Sequence, residues 1–330
     1  MTEARFDVVG IGNAIVDVLA HADDAFLESH GLAKGAMTLV DAEDSDALYG
    51  DMGPGIECSG GSAANTIAGL ASLGGRPAFI GKVRDDQLGA VFRHDIRALG
   101  VAFDTPAAAD GLPTARCLIL VTPDAQRTMQ TFLGASVRLG PDDIDIELIA
   151  ASRLTYLEGY LWDPPRAKEA FVFAAAAAHQ AGREVALSLS DPFCVDRHRD
   201  DFRDLVAGHV DVLFANEDEI KSLYREDTFD GALQRVRGHC RVAALTRGAK
   251  GSVVISGDQV HVIDADTVDR VVDTTGAGDA YAAGFLYGLT REAPLHACAR
   301  MGNTAAAEVI GHMGARPDVP LKDLIGPKLV

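Results

Sequence analysis

Short apolar runs alternate along most of the chain with stretches whose apolar residues fall three or four apart. The runs at 6–12, 79–83, 154–160, 185–189, 210–215 and 242–245 have the length and β-branched content of buried strands. Helical spacing lies between them. Ile67, Leu70, Ala71 and Leu73 mark one helix, stopped by Gly74-Gly75, and others are predicted over 88–99, 166–181 and 297–310. Strand and helix in alternation predict an α/β fold, as one large domain or two smaller ones. Two tracts depart from this rhythm. Residues 18–55 carry short apolar runs broken by Gly31, Gly35 and Gly53-Pro54-Gly55, and 114–131 alternates apolar with polar. Both predict short strands in a second, small sheet.

The pattern changes most sharply between 268 and 289. Val268, Val271 and Val272 predict a strand, 274–279 a glycine turn, and Tyr281, Phe285, Leu286 and Leu289 a helix from Ala280 onward. Gly276 and Gly278 permit backbone conformations closed to other residues. The first amides of a helix have no partner inside it, and its dipole is positive there. Such a turn suits an anion, and a phosphate fits it well. A carboxylate at that mouth, Asp279, would repel the phosphate unless its task is to take a proton from the attacking group. The alternative is a plain helix cap. The two glycines and two threonines ahead of Asp279 favour the base.

Composition narrows the partners. Forty-eight acidic against 30 basic residues give a net charge of −18, which argues against nucleic-acid backbones and anionic membranes. A bound nucleotide is compatible with it, because a few local groups hold phosphates. Cys58, Cys117, Cys194, Cys240 and Cys298 are scattered, with no Cys-x-x-Cys pair or His cluster to suggest zinc. Reduced thiols in a cytoplasm are expected, and the N-terminus lacks the pattern of a signal peptide. The alanine run at 174–178 is too short to span a membrane. Gly10-Ile11-Gly12 after the first strand raises a dinucleotide fold, but Ile15 stands where the third glycine belongs.

Asp273-Thr274-Thr275-Gly276-Ala277-Gly278-Asp279-Ala280-Tyr281, followed by Gly284-Phe285, resembles the C-terminal signature of the ribokinase (PfkB) family of sugar and nucleoside kinases. Gly60-Gly61-Ser62, Asn65 and the leucines after them resemble its N-terminal signature, and the likeness runs from Gly10 to Gly314. It implies a ribokinase-like three-layer α/β/α fold over 1–330, with a mainly parallel central sheet. A small β-sheet lid would come from insertions at about 14–50 and 112–132.

The same resemblance implies roles for particular residues. Gly276, Ala277 and Gly278 would form the anion hole and Asp279 the catalytic base, with Arg127 turned towards the transferred phosphate. Asp17 would grip two hydroxyls of the sugar, which a carboxylate can do. Asn13 would stand near the ribose, Gly60, Gly61 and Ser62 would let the sugar pass and hinge the lid, and Asn65 would contact a hydroxyl. Phe193, in Ser190-Asp191-Pro192-Phe193, would stack on a base, or else plug the core. Asn216 and Glu219 would order water and Mg²⁺ around the nucleotide phosphates, although acidic residues in a first helical turn are also ordinary. Thr246, Gly248 and Gly251 would make a second nucleotide loop, otherwise a hairpin turn, and Asn303 would hold the adenine. Carbonyls around Asp273, Thr275 and 311–315 would ring a monovalent cation such as K⁺.

The expected activity is transfer of the γ-phosphoryl group of ATP, with Mg²⁺, to the 5′-hydroxyl of a nucleoside. Adenosine is the expected acceptor, because Gly12-Asn13, Asp17, 190–193 and 214–217 resemble adenosine kinases. The alternative is a PfkB-type sugar kinase for ribose, fructose or a ketodeoxy sugar acid. A non-catalytic sensor would not need the base. The partners expected are small molecules, with no nucleic acid or membrane, in a monomer or homodimer.

Overall fold

The computed structural model describes residues 4–124 and 126–325. An eight-stranded sheet forms the centre, in the order Gln259–Ile263, Ser252–Ser256, Val242–Thr246, Val212–Asn216, Glu184–Ser188, Ser152–Glu158, Phe6–Ile11, Pro77–Ile80. The last six run parallel, and the first two close one edge antiparallel. Phe6–Ile11 lies between two parallel neighbours, with Gly10 opposite both Tyr156 and Phe79.

Successive side chains of a strand point to opposite faces, so a strand covered on both faces is apolar throughout. Val9, Leu157, Leu187 and Leu213 accordingly enter the core beneath the helix Pro165–Gln180, while Val8, Tyr156, Ala186 and Phe214 enter the core on the other face. There they meet Ile67 of the helix Ser62–Ser72 and Phe285 of the helix Ala277–Leu289. The helix Ala277–Leu289 also lies against Leu295–Val309 with almost no side chain between them. A Cβ on Gly284 would stand 2.5 Å from the carbonyl oxygen of Met301, and one on Gly302 2.8 Å from Tyr281.

A second sheet of five strands runs Met37–Leu39, Arg127–Phe132, Ala115–Val121, Ile15–His21, Gly55–Gly60. Its last strand lies beyond the bounds of 14–50 and 112–132 expected for the insertions. Between its strands the chain forms the helices Asp24–Ser29 and Ala42–Asp51, where strands were expected. Asp23 and Asp41 start them by accepting the amides of Phe26 and Asp44. The strand expected at 268–272 is also absent. That segment is irregular, and Val272 donates its amide to the carbonyl of Ile310, at the end of a helix. The β-branched residues there have strand propensity but no strand beside them to pair with. The helix that follows begins at Ala277, before the expected Ala280. Among the described residues no helix is long and apolar enough to cross a membrane.

Candidate active site

The turn before the helix Ala277–Leu289 is held from behind. Gly276, with φ of 75°, is its N-cap, and a Cβ there would stand 2.6 Å from the side chain of Ala315. Only glycine combines that left-handed conformation with that contact. Above Gly278, by contrast, a Cβ would meet nothing within 4 Å. The turn is therefore packed on one side and open on the other; the amide of Ala277 closes the turn onto the carbonyl of Thr274, and those of Gly278 and Asp279 at the helix start are left to receive an anion.

Asp279 stands in the first turn of this helix and does not cap it. Its Oδ1 accepts the hydroxyl of Ser62 at 2.6 Å, and its Oδ2 accepts Nδ2 of Asn65 at 3.4 Å. Burial raises the carboxyl to about 6, against the opposing pull of these two donors. At neutral pH it is mostly ionised, yet basic enough to take a proton. Ser62 is the first residue of the helix Ser62–Ser72, whose N-cap is Gly61, so its hydroxyl is free to serve the carboxylate. Gly61, with φ of 99°, turns the chain into that helix; a Cβ there would lie 2.2 Å from the carbonyl oxygen of Asn13.

The strands Phe6–Ile11 and Ile15–His21 bring Asn13 and Asp17 to the same end of the sheet. Asn13 is buried, and its side chain is fully engaged. Its Nδ2 donates to Oε1 of Glu158 at 2.6 Å, and its Oδ1 accepts the hydroxyl of Ser136 at 2.8 Å. Glu158 also accepts the amide of Ala63 at 2.7 Å. Burial nevertheless lifts its carboxyl to about 7, with the negative Asp279 adding to the rise. Asp17 lies against Gly60, where a Cβ would meet its carboxylate at 2.3 Å. Burial raises Asp17 to about 6, while Arg316 and Arg127 pull the other way.

Arg127 is 9% exposed and faces the base of the glycine turn. Its Nη1 pairs with Oδ2 of Asp273 at 2.7 Å. Asp273 also accepts the amides of Thr275 at 3.0 Å and Gly314 at 3.1 Å. Arg127 thus braces the glycine turn through Asp273, which in turn ties it to the segment at Gly314. Among the described residues, Nε and Nη2 of Arg127 and Nη2 of Arg316 are buried without a hydrogen-bond partner.

The residues expected at the nucleotide gather at the ends of neighbouring strands. Asn216 pairs in register with Thr246, and Arg247 bridges the two loops with an ion pair to Glu217 at 3.0 Å. Asn216 caps its helix, accepting the amides of Asp218 and Glu219, and its Nδ2 donates to Oε1 of Glu219 at 2.6 Å. Burial lifts Glu219 to about 7, and the charges of Asp191, Asp218 and Asp279 add to this. Gly248 and Gly251 form the turn of an antiparallel hairpin between Val242–Thr246 and Ser252–Ser256. Asn303 donates its Nδ2 to the carbonyl of Asp264 at 2.8 Å and tethers the chain leaving the edge strand. Phe193 does not plug the core. It is 76% exposed on the short helix Pro192–Arg197, which Asp191 caps.

The model of the pfkB family of carbohydrate kinases matches residues 57–322. The chain belongs to that family. Its activity is therefore phosphoryl transfer to an alcohol, with ATP as donor and a divalent metal. Among solved structures, the adenosine kinase from Sinorhizobium meliloti is 52% identical, with a TM-score of 0.90 over 98% of this chain and 99% of that one. A probable sugar kinase from Rhizobium etli is 48% identical, with a TM-score of 0.91 over 99% and 100%. The adenosine kinase of Saccharomyces cerevisiae is 27% identical over 93% of this chain and 95% of its own.

Three residues of this pfkB kinase site were not singled out from sequence. Glu158 had one signal, an acidic residue followed by glycine at the carboxyl end of a parallel strand, where α/β sheets place their ligands. Ser136 and Arg316 had none, since each matters only through a partner distant in the chain.

Proposed function

We propose that the protein transfers the γ-phosphoryl group of ATP to the 5′-hydroxyl of a nucleoside, with adenosine as the acceptor. The observation that carries the reading is Asp279, an inward-facing carboxylate with two donors at the open mouth of a glycine turn. As the hydroxyl attacks, its proton passes to Asp279, the O–P bond to the acceptor forms, and the bond from the γ-phosphorus to ADP breaks. The amides of Gly278 and Asp279 face the charge that develops on the transferred group. Bound Mg²⁺ would supply charge neutralisation at the ATP phosphates. Glu219 and Asn216 suit it through bridging water, since both side chains are engaged with each other and Glu219 sits among carboxylates that a cation would relieve.

Adenosine is supported by the likeness to the Sinorhizobium meliloti enzyme and by Phe193. Its free ring projects from the carboxyl end of the central sheet, next to Asp191, whose charge acts on Glu219. Stacking on a base is worth about 0.5–1.5 kcal/mol beyond burial. Asp17 is placed to accept both ribose hydroxyls. A sugar kinase is the second reading, favoured by one feature. The unpaired guanidinium nitrogens of Arg127 and Arg316 act on Asp17 and would suit the carboxylate of a ketodeoxy sugar acid.

One acceptor panel with Mg-ATP decides between them. It spans adenosine, other nucleosides, ribose, fructose and a ketodeoxy sugar acid. The expected result is the highest kcat/KM for adenosine. A higher value for any sugar would replace the nucleoside reading, and no turnover with any acceptor would overturn phosphoryl transfer.

A further inference from the structure

Asn65 lies between a carboxylate and a guanidinium. Asp279, when ionised, can only accept hydrogen bonds, and arginine can only donate them. The amide of Asn65 has one way to satisfy both, with Nδ2 towards Asp279 at 3.4 Å and Oδ1 towards Nε of Arg316 at 3.3 Å. Its orientation is therefore imposed from both sides.

The other arm of Arg316 points away from the base. Nη1 donates to Oδ2 of Asp95 at 3.2 Å. The same oxygen accepts both the amide of Ser59 at 2.7 Å and its hydroxyl at 2.5 Å. Ser59 lies in the strand Gly55–Gly60 of the small sheet, directly before the Gly60-Gly61 turn. Arg316 itself follows Ala315, the residue packed on Gly276. A single guanidinium thus touches the donor to the base and the support of the small-sheet strand, from a residue adjoining the one that backs the glycine turn.

We propose that Arg316 is a positioning residue that fixes the Asn65 amide, and through it Asp279, while tying both to the strand Gly55–Gly60 by way of Asp95. The proposal rests on Asp279 being the base. Without Arg316, only the 3.4 Å bond to Asp279 orients the Asn65 amide. The side chain can then swing off the carboxylate, which loses a donor and its alignment. Lysine at 316 keeps a charge and a donor for Asn65 but cannot reach both partners as a planar fork.

The test is a double-mutant cycle of Arg316→Met and Asn65→Ala, with Arg316→Lys as the conservative variant. Misalignment of this kind costs about 10- to 100-fold in kcat. Arg316→Met should show such a loss with KM for ATP within about twofold of wild type, since the proposal leaves the nucleotide side alone. In the Asn65→Ala background the same change should cost less than about twofold, because the two act as one unit. Arg316→Lys should recover most of the loss. Losses that multiply would overturn the proposal, as would a rise in KM for ATP that accounts for the whole defect. Should Arg316→Met not fold, Arg316→Ala, whose smaller side chain leaves room for water, completes the cycle.

A readout without turnover separates this proposal from the kinase reading. In ¹⁵N spectra of the apo-protein, the side-chain NH₂ pair of Asn65, identified by its disappearance in Asn65→Ala, should exchange slowly in wild type. It should shift and broaden in the Arg316 variants. An unchanged pair overturns the positioning role even in an active enzyme. Failure of wild type to phosphorylate any acceptor sinks the kinase reading, and the spectra still decide what orients Asn65.

Discussion

Removing the Ser62 hydroxyl should move the pH at which the kinase switches on. Its Oγ lies 2.6 Å from Oδ1 of Asp279 and donates to the ionised form alone. A hydrogen bond to a charged group contributes about 1.5–3 kcal/mol, and one pKa unit corresponds to about 1.4 kcal/mol. Ser62→Ala should therefore raise the carboxyl by about one to two units, nearer one where water takes the place of the hydroxyl. The wild-type carboxyl is already lifted by burial to about 6. A base works when ionised, so the rate rises with pH through this value, and the variant's rise is delayed. For a shift of one unit, the ionised fraction at pH 6 falls from about a half to about a tenth, roughly a fivefold loss in kcat/KM. At pH 7 the loss is about twofold, and above pH 8.5 the two enzymes converge. The assay is kcat/KM for the acceptor from pH 5 to 9 at saturating Mg-ATP, with a denaturation curve to show that the variant is folded. Glu158 and Glu219 sit near 7 and Asp17 near 6, so the limb is assigned to Asp279 by its absence from the residual activity of Asp279→Asn. An unmoved limb, or a deficit equal at every pH, would refute the argument.

Asp279→Asn itself should keep the fold and ATP binding and lose about 10²–10⁴ in turnover, and more than a tenth of wild-type rate would remove it as the base. The two glycines of the turn should respond in opposite ways. Gly276→Ala should lose about 2–4 kcal/mol in urea denaturation, from its positive φ and the overlap with Ala315. Gly278→Ala should be as stable as wild type or more so, by up to about 1 kcal/mol, since its methyl meets open space in a helix. It should also turn over at least about tenfold more slowly, because that space is where the phosphoryl group passes. Full activity in Gly278→Ala would place the anion elsewhere. Phe193→Ala should raise KM for adenosine by about 2- to 10-fold without changing melting temperature, given how exposed the ring is; an unchanged KM would exclude stacking.

What could be read from the chain was what local pattern encodes. Most central strands are covered on both faces and appear as short apolar runs, although Ser152–Glu158 carries Arg153 and Thr155 among them, and the glycine turn announces itself through spacing alone. The strand expected at 268–272 failed because β-branched residues report propensity, while a strand also needs an edge to join, and that segment passes beside a helix end. Asp279 in isolation could equally be a helix cap, and Ser62 gave no sign of a link to it. They are 217 positions apart, and only the fold shows that each serves the other. Arg127 and Asp273 gave two separate expectations, a phosphate ligand and a neighbour of a cation, and only the fold shows that the two side chains pair with each other. Arg316 follows a loop with no signature of its own, and its importance lies wholly in what Asn65 and Asp95 present to it.

The close seating of the helix Ala277–Leu289 on Leu295–Val309 bears on how such an enzyme can change its acceptor. At Gly284 and Gly302 the two backbones nearly touch, so even one added methyl forces them apart. A helix lodged in that way cannot be rotated or slid by small mutational steps without losing stability first. Asp279 at its tip, the proposed proton acceptor, is in effect a fixed post, and new acceptors have to be brought to it. Inherited or laboratory variation in specificity should therefore accumulate in the strands Ile15–His21, Gly55–Gly60, Ala115–Val121 and Arg127–Phe132, whose sheet packs through side chains that can be exchanged. A library aimed at a new acceptor belongs on those strands, with the post left untouched.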